Sequence, residues 1–414
     1  MKSVAVAVGI ALILAIALGV AREKPIGTEE LVTVDANDIA ALVEANNSFA
    51  LDLYSLAASR KGNLFFSPYS ISSALAMTYA GARGNTAAQM EEVLHFGSAP
   101  ELVHPAFSQL NAAFNARGKA YRLSVANALW AQNGFEFQRD FLATAKTYYG
   151  AGARIVDFAG NTESARLAIN KWVEDNTEGK IIDLIAKGVL DPLTRLVLTN
   201  AIYFKGRWEN EFRPEFTANA PFYLGTAGAV GSTVDVPFMR QVERFRYAHT
   251  QNAQVLEMPY AGGDLAMLIV LPDEESSITD VEASVKDGGL EPFIDSLAYR
   301  RVDVSIPRFK FVDEMSLKEY LMRLGMVDAF DDKLADFSAM SDRRLYITQV
   351  LHKAFVEVNE EGTEAAAATA VVVGVKSAPV DMPVVFTADR PFLFAIRDVA
   401  TGSILFMGRM ADPR

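Results

Sequence analysis

Glu360-Glu-Gly-Thr-Glu-Ala-Ala-Ala-Ala-Thr-Ala-Val-Val-Val-Gly-Val-Lys-Ser377 is a stretch whose local preferences disagree with one another. Ala365 to Ala368 favour helix. Val371 to Val373 are β-branched and favour strand. Gly362 and Gly374 put flexible points near the two ends. Between Glu364 and Lys376 there is no charge and no side chain larger than valine. Such a segment is either a linker or a piece of chain that holds one conformation now and another later.

The flanks favour the second reading. Leu345 to Val358 reads as a long strand, partly alternating in its second half. Phe386 to Ile396 and Ser403 to Met410 read as apolar strands. The hinge Glu360-Glu-Gly-Thr-Glu-Ala-Ala-Ala-Ala, the block Ala388-Asp-Arg-Pro-Phe-Leu-Phe and the run Leu405-Phe-Met-Gly-Arg together resemble the serpin family, the serine protease inhibitors. Two earlier blocks add to this: Phe65-Phe-Ser-Pro with Gly84-Asn-Thr, and Leu196-Val-Leu-Thr-Asn-Ala-Ile-Tyr-Phe-Lys-Gly-Arg-Trp208. The resemblance spans Asn37 to Pro413. It implies an α+β serpin fold: one domain, 37–414, with three β-sheets, eight or nine helices and an exposed reactive-centre loop over 360–382.

The composition bounds the alternatives. The chain has 414 residues, half of them hydrophobic, which suffices for one large core. A net charge of −12 argues against nucleic-acid binding, which calls for a basic face. The absence of cysteine excludes disulfides, thiolate metal sites and cysteine nucleophiles. No HExxH, GxSxG, GxGxxG or phosphate-loop motif is present. Lys2, the apolar run after it and Gly19-Val-Ala21 fit a secretion signal over 1–21, with an uncleaved anchor as the alternative. Residues 22–36 read as an exposed tail.

Along the chain, helical spacing runs from Ala36 to Ala58. Ser67 and Pro68 open a buried helix that runs to Gly81. Further helices are expected over Thr86–Leu94, Arg139–Tyr149 and Leu317–Met326. Another begins at Asn161 or Thr162, either of which can cap it. Strands are expected over Leu123–Gln132, Ala153–Phe158 and Val302–Phe311. A hairpin is expected around Gly262-Gly263, its second strand, Leu265–Leu271, buried on both faces. Helices dominate the first third and strands the rest, an α+β arrangement.

His352 by itself reads as a satisfied core histidine. The resemblance places it instead in a cluster called the shutter, with Ser67, Ser70 and Asn200, whose hydrogen bonds help decide whether two strands of the main sheet part. It places Trp208 at the top of that sheet, where the loop begins to insert. The spacing from Gly362 in the family puts Lys376 before the scissile bond and Ser377 after it. Lys376 is the only basic residue between Lys353 and Arg390, and a trypsin-like enzyme reads such a residue with an acidic pocket. The stretch from Ser377 to Arg390 is slightly longer than in many relatives, so Val375 is the alternative position. His95, His104 and His249 lack metal spacing and read as surface or loop residues. Asp331-Asp332 and Glu274-Glu275 read as solvated turns. Arg117, Lys119 and Arg122 are too few for a polyanion site. Asn46-Asn-Ser48 fits a glycosylation acceptor.

The resemblance therefore implies a secreted inhibitor, extracellular or periplasmic, that works as a suicide substrate. A trypsin-like protease is acylated at Lys376 and carried off as the hinge, Glu360, Glu361, Gly362, Thr363, Glu364, Ala365, Ala366, Ala367 and Ala368, leads the cut loop into the main sheet. The expected partner is that protease in a covalent complex. No metal, cofactor, nucleic acid or membrane is expected, and the protein is expected as a monomer. A non-inhibitory serpin (carrier, storage protein or chaperone) and an enzyme are the rival classes.

Overall fold

Ser67 turns an apolar strand into a helix. Its hydroxyl accepts from the amide of Ser70, and Pro68 fits the first helical position, where no backbone donor is needed. That helix is buried along almost its whole length and carries one wall of the site. The computed structural model describes residues 34–97, 99–116, 120–150, 152–225, 232–363 and 382–414. Residues 34–414 form one compact unit.

Among the described residues there are nine helices: α1 (Ala36–Ala57), α2 (Pro68–Tyr79), α3 (Gly84–Val93), α4 (Pro100–Phe114), α5 (Arg139–Tyr149), α6 (Phe158–Asn176), α7 (Ile278–Gly288), α8 (Glu291–Asp295) and α9 (Lys318–Leu324). The strands are β1 (Leu64–Phe66), β2 (Tyr121–Gln132), β3 (Ala153–Val156), β4 (Leu196–Arg207), β5 (Ala218–Tyr223), β6 (Thr233–His249), β7 (Ala253–Pro259), β8 (Leu265–Pro272), β9 (Ala298–Pro307), β10 (Phe309–Ser316), β11 (Gln349–Val358), β12 (Gly362–Thr363), β13 (Val384–Thr387), β14 (Phe392–Asp398) and β15 (Ile404–Met410).

The main sheet has six strands in the order β10-β11-β12-β4-β2-β3, with β11 also paired directly to β4. The other strands form a nine-stranded sheet in two parts that share the long β6. One part runs from β1 through β15, β14, β8 and β7; the other adds β5, β9 and β13. These are the three sheets expected. The central strand β4 is buried on both faces, its successive side chains pointing opposite ways into two cores. Leu196, Leu198, Ile202 and Phe204 of β4 join the large core, while Val197, Ala201 and Tyr203 join a second core with Ile169 and Val173 of α6.

Several expectations shift. The strand expected from Leu345 begins at Gln349, since the amide of Ile347 turns to the carbonyl of Ala329. The strand expected over Val302–Phe311 breaks at Arg308 into β9 and β10, which belong to different sheets. The strand expected to reach Phe158 stops at Val156, where Asp157 caps α6 by accepting from Gly160. Asn161 does interrupt that helix, with φ −148° and ψ 62°, and accepts from the amide of Ser164. Asn46 is no glycosylation acceptor in the folded chain, because it is buried on α1 and donates to the carbonyl of Ile404. His104 is neither a surface nor a loop residue. It lies on α4 among Tyr79, Tyr148 and Tyr149, and burial lowers its pKa to about 4.

Candidate functional site

Two strands of the main sheet part at one end, and Gly362 and Thr363 enter the opening. From Gln349↔Val197 to Phe355↔Tyr203, β11 and β4 are direct parallel neighbours. Beyond Phe355 they diverge. There β12 enters antiparallel to both, with Thr363 opposite Gly206 on one side and Val358 on the other.

The residues at this end explain the geometry. The chain reverses over Asn359–Gly362, and Asn359 Oδ1 accepts from the amides of Glu361 (3.1 Å) and Gly362 (3.2 Å), the side-chain-to-backbone turn that asparagine favours. Gly362 has φ +157°, and a Cβ there would lie 2.0 Å from the carbonyl oxygen of Gly206. Only glycine allows so close an approach. Trp208 fixes the turn twice. Its backbone amide donates to the carbonyl of Glu361 (2.8 Å), and its indole Nε1 donates to the carbonyl of Asn359 (3.0 Å). The indole stacks on Tyr260 at 4.6 Å, and the Tyr260 hydroxyl is 2.7 Å from Thr363 Oγ1. Burial pushes that phenol well above its ordinary pKa, opposed by the bond to Thr363. Thr363 is itself 1% exposed.

Glu360 is a buried carboxylate with both oxygens engaged. Arg308 Nε lies 3.0 Å from Oε2, and Thr217 Oγ1 donates to Oε1 at 2.6 Å. A buried charge without such partners would be costly. The carbonyl of Glu360 also accepts from Phe212. The break at Arg308 between β9 and β10 therefore lies where this ion pair forms.

Half-way down the β11–β4 seam, His352 sits opposite Asn200. The amide of Ser67 donates to His352 Nε2 (3.2 Å), so that nitrogen is unprotonated. Nδ1 then carries the proton and donates to Asn200 Oδ1. Burial lowers the pKa of His352 to about 3, so the ring is neutral. Asn200 Nδ2 donates to Ser70 Oγ (2.6 Å) and to Asn127 Oδ1. Asn127 Nδ2 returns to the carbonyl of Ser70 (3.1 Å), and Ser67 Oγ donates to the carbonyl of Leu405 (2.6 Å). Ser67, Ser70, Asn200 and His352 are thus brought together, and the network ties α2 to β2, β4, β11 and β15.

Glu360, Glu361, Gly362, Thr363 and Trp208 also converge, at the top of the sheet. Glu364, Ala365, Ala366, Ala367, Ala368, Lys376 and Ser377 lie outside the described residues, as do Arg117, Lys119 and the segment 1–33. Arg122 pairs with Glu178. Glu274 and Glu275 are exposed in a turn, and Asp331 accepts from the amides of Lys333 and Leu334. The sequence reading missed Asn127, Tyr260, Asn359, Arg308 and Thr217. Alternation along β2 marks Asn127 as an inward polar position, but no local pattern singles out the other four.

The family model for Serpin (serine protease inhibitor) matches residues 44–413. The chain belongs to the serpin family. Leukocyte elastase inhibitor of Homo sapiens is 45% identical to it over 385 residues, covering 90% of this chain and 99% of that protein. An uncharacterized serpin-like protein of Thermococcus kodakarensis is 42% identical over 377 residues, covering 90% and 86%. Among solved structures, uncleaved ovalbumin superposes with a TM-score of 0.83 at 32% identity, covering 90% of this chain and 100% of ovalbumin. Serpin48 of the insect Tenebrio molitor, described as a highly specific serpin, gives 0.82 at 31%, covering 92% and 100%. In this serpin Gly362 and Thr363 lie within the main sheet, and below them β11 and β4 are closed upon each other.

Proposed function

We propose that this serpin inhibits a trypsin-like serine protease as a suicide substrate, with Lys376 as the bait. The protease serine attacks the carbonyl of Lys376. The Lys376–Ser377 bond breaks, Ser377 leaves as a new amine, and Lys376 stays esterified to the enzyme. The freed segment then continues β12 down the seam between β11 and β4. The protein acts as an inhibitor and not as an enzyme.

The observation that carries this reading is the register of β12. Continued from Thr363↔Gly206, the antiparallel pairing puts Val373 opposite Leu196, the first residue of β4, at the far end of the seam. Lys376 follows three residues later, so the insertable segment matches the strand it would pair with. The same register sets the faces. Thr363, Ala365, Ala367, Thr369, Val371 and Val373 would follow the side of β4 that faces the large core. All are small and none is charged. Continued from Thr363↔Val358 as well, the register brings Thr369 between His352 and Asn200. Its hydroxyl could serve both groups when their mutual bond is broken. The shutter residues Ser67, Ser70, Asn200 and His352 then act as a lock on the seam, and Glu360 and Trp208 anchor its upper end.

The names of the relatives at 42–45% identity favour a second reading of specificity, since several are called elastase inhibitors. Val375, next to Lys376, would suit an enzyme with a small apolar pocket. One gel separates the readings: the protein is incubated in parallel with trypsin and with elastase, and SDS-stable covalent complexes are sought. A complex with trypsin that Lys376→Ala abolishes supports Lys376. A complex with elastase alone moves the bait to Val375, and none with any serine protease supports a non-inhibitory carrier or storage role. We further read residues 1–21 as a signal for secretion. Protein recovered outside a secreting host and beginning at Arg22 would bear this out; recovery in the membrane with Met1 retained would favour the anchor.

A further inference from the structure

The sequence contains a single Asn-Gly pair, Asn133-Gly134. It forms the turn that follows β2 at the foot of the main sheet, and both residues are exposed. The turn is held on one side only. The amide of Gln132 donates to the carbonyl of Arg195 (3.0 Å), and that of Asn133 to the carbonyl of Val156 (2.7 Å). Among the described residues the amide of Gly134 meets no acceptor, and the side chain of Asn133 has no partner. Gly134 takes φ +90°, a region that glycine enters without strain. Lacking a Cβ, it leaves its amide nitrogen open to approach by the side chain of Asn133.

A cation stands over this turn. A Cβ on Gly134 would lie 3.6 Å from Arg343 Nη1. The Arg343 guanidinium also lies 6.0 Å from the ring centre of Phe135. It is exposed, and among the described residues it has no carboxylate partner. The segment that carries it is fastened beside the turn. Ser341 Oγ donates to the carbonyl of Glu136 (2.7 Å), and the amide of Gln138 donates to the carbonyl of Met340 (2.9 Å). Gln138 Nε2 donates to Asp342 Oδ1 at 2.6 Å. The fold, and not the local sequence, therefore brings the charge to Gly134. A cation this near favours the ionised form of any group that can lose a proton beside it.

We propose that Asn133 is a self-modification site, at which the folded chain converts asparagine to aspartate and isoaspartate without an enzyme. Hydroxide takes the proton of the Gly134 amide, and the nitrogen attacks Cγ of Asn133. The tetrahedral anion expels ammonia, which leaves with a proton from water and so returns the hydroxide, and a succinimide ring is closed. Water then opens the ring. Opening at the side-chain carbonyl gives aspartate; opening at the main-chain carbonyl gives isoaspartate, with the backbone rerouted through Cβ and Cγ. The net change is one water in and one ammonia out. Arg343 acts twice: it stabilises the anions on the way to the ring, and it pairs with the carboxylate that results.

The test holds the full folded chain at mildly alkaline pH and samples it with time. Isoaspartate is read with an isoaspartyl carboxyl methyltransferase and a labelled methyl donor, and its position by mass spectrometry of the fragment containing residue 133. Position 133 should react before any other asparagine, and at least as fast as in a free peptide with the sequence of residues 129–137. Arg343→Gln should slow the folded chain about fivefold, the effect of one exposed charge at short range, and leave the rate in urea unchanged. Arg343→Lys keeps the charge and should retain most of the rate. Asn133→Gln should remove the signal, because the longer side chain closes its ring far more slowly. Earlier reaction at another asparagine, or a folded chain about tenfold or more slower than the peptide, a barrier higher by about 1.4 kcal/mol, overturns the site. Equal rates for the parent and Arg343→Gln overturn the part given to Arg343. None of these outcomes depends on whether the chain traps a protease.

Discussion

Thr363→Arg should turn the inhibitor into a substrate. Thr363 is 1% exposed, lies between Gly206 and Val358, and meets the hydroxyl of Tyr260 at 2.7 Å. An arginine held in the same place loses that hydrogen bond, worth about 0.5–1.5 kcal/mol. It also buries an uncompensated guanidinium, at about 3–5 kcal/mol. Glu360 offers no relief, since Arg308 and Thr217 already occupy its oxygens. Together these amount to about 4–6 kcal/mol, or some three to four powers of ten in an equilibrium. The chain avoids most of this by leaving β12 outside the sheet, so the fold survives and the start of insertion does not. Lys376 would still be recognised and acylated, but the acyl-enzyme would hydrolyse before the seam could fill. Titration against trypsin should give rapid cleavage after Lys376, active protease and no covalent complex. Emission from Trp208 should change as the turn over Asn359–Gly362 loosens. Thr363→Val, which keeps the shape and loses only the hydroxyl, should trap trypsin nearly as well as the parent. If Thr363→Arg traps trypsin as efficiently as the parent, Thr363 does not lie in the sheet during trapping and the mechanism is wrong.

Gly362→Ala should raise the amount of inhibitor consumed per protease trapped, because its Cβ would fall 2.0 Å from the Gly206 carbonyl; parental stoichiometry would refute the close approach. Cleavage between Ala367 and Lys376 should raise the melting temperature sharply by letting the freed strand pair, and Thr369→Val should remove about 1–3 kcal/mol of that gain by leaving shutter groups unsatisfied; a cleaved sample melting no higher than the intact one would contradict insertion. Acidification below about pH 6.5 should destabilise the intact protein, because the unfolded chain protonates its histidines there while folded His352 stays neutral down to about 3 and His104 to about 4. Each contributes about 1.4 kcal/mol per pH unit within its window, so urea midpoints measured from pH 7 to 5 should fall, and flat midpoints would show that these rings are not held neutral.

Much of this fold is legible in the sequence where the signal is local. The Ser67–Pro68 start of α2, the full extent of α5 and the hairpin at Gly262-Gly263 follow from caps, periodicity and turn residues within a dozen positions. The helix α4 is not legible, because Pro100, Pro105 and His104 read as loop chemistry. Tertiary packing keeps it helical despite the bond lost at Pro105. The helix α7 carries a capping box, Ser277 with Asp280, that could have revealed it. The site divides in the same way. Gly362 and Thr363 stand out by type, and the shutter residues through the resemblance. Tyr260 and Arg308 come from strands remote in sequence, and nothing near them records that they will meet Thr363 and Glu360. The sequon at Asn46 fails for a related reason: a three-residue pattern carries no information about a carbonyl that arrives from Ile404.

The structure also indicates how insertion could run downhill and yet wait. Filling the seam exchanges one parallel interface, β11 with β4, for two antiparallel ones. A parallel pair is slightly weaker per residue, so each step down the seam breaks one weaker pairing and makes two. The exchange needs no new nucleus, because β12 already holds the strands apart at the top. Six residues beyond Thr363 it meets the shutter, where the His352–Asn200 bond has to open. Insertion through to Val373 opposite Leu196 would carry the chain roughly 33 Å along β4 at about 3.3 Å per residue. In the uncut chain the other end of this segment is tied to β13, which is paired with β9 in the other sheet. The strand can therefore start and not finish. On this reading the bond between Lys376 and Ser377 is the tether, and a protease that cuts it releases the movement that traps it.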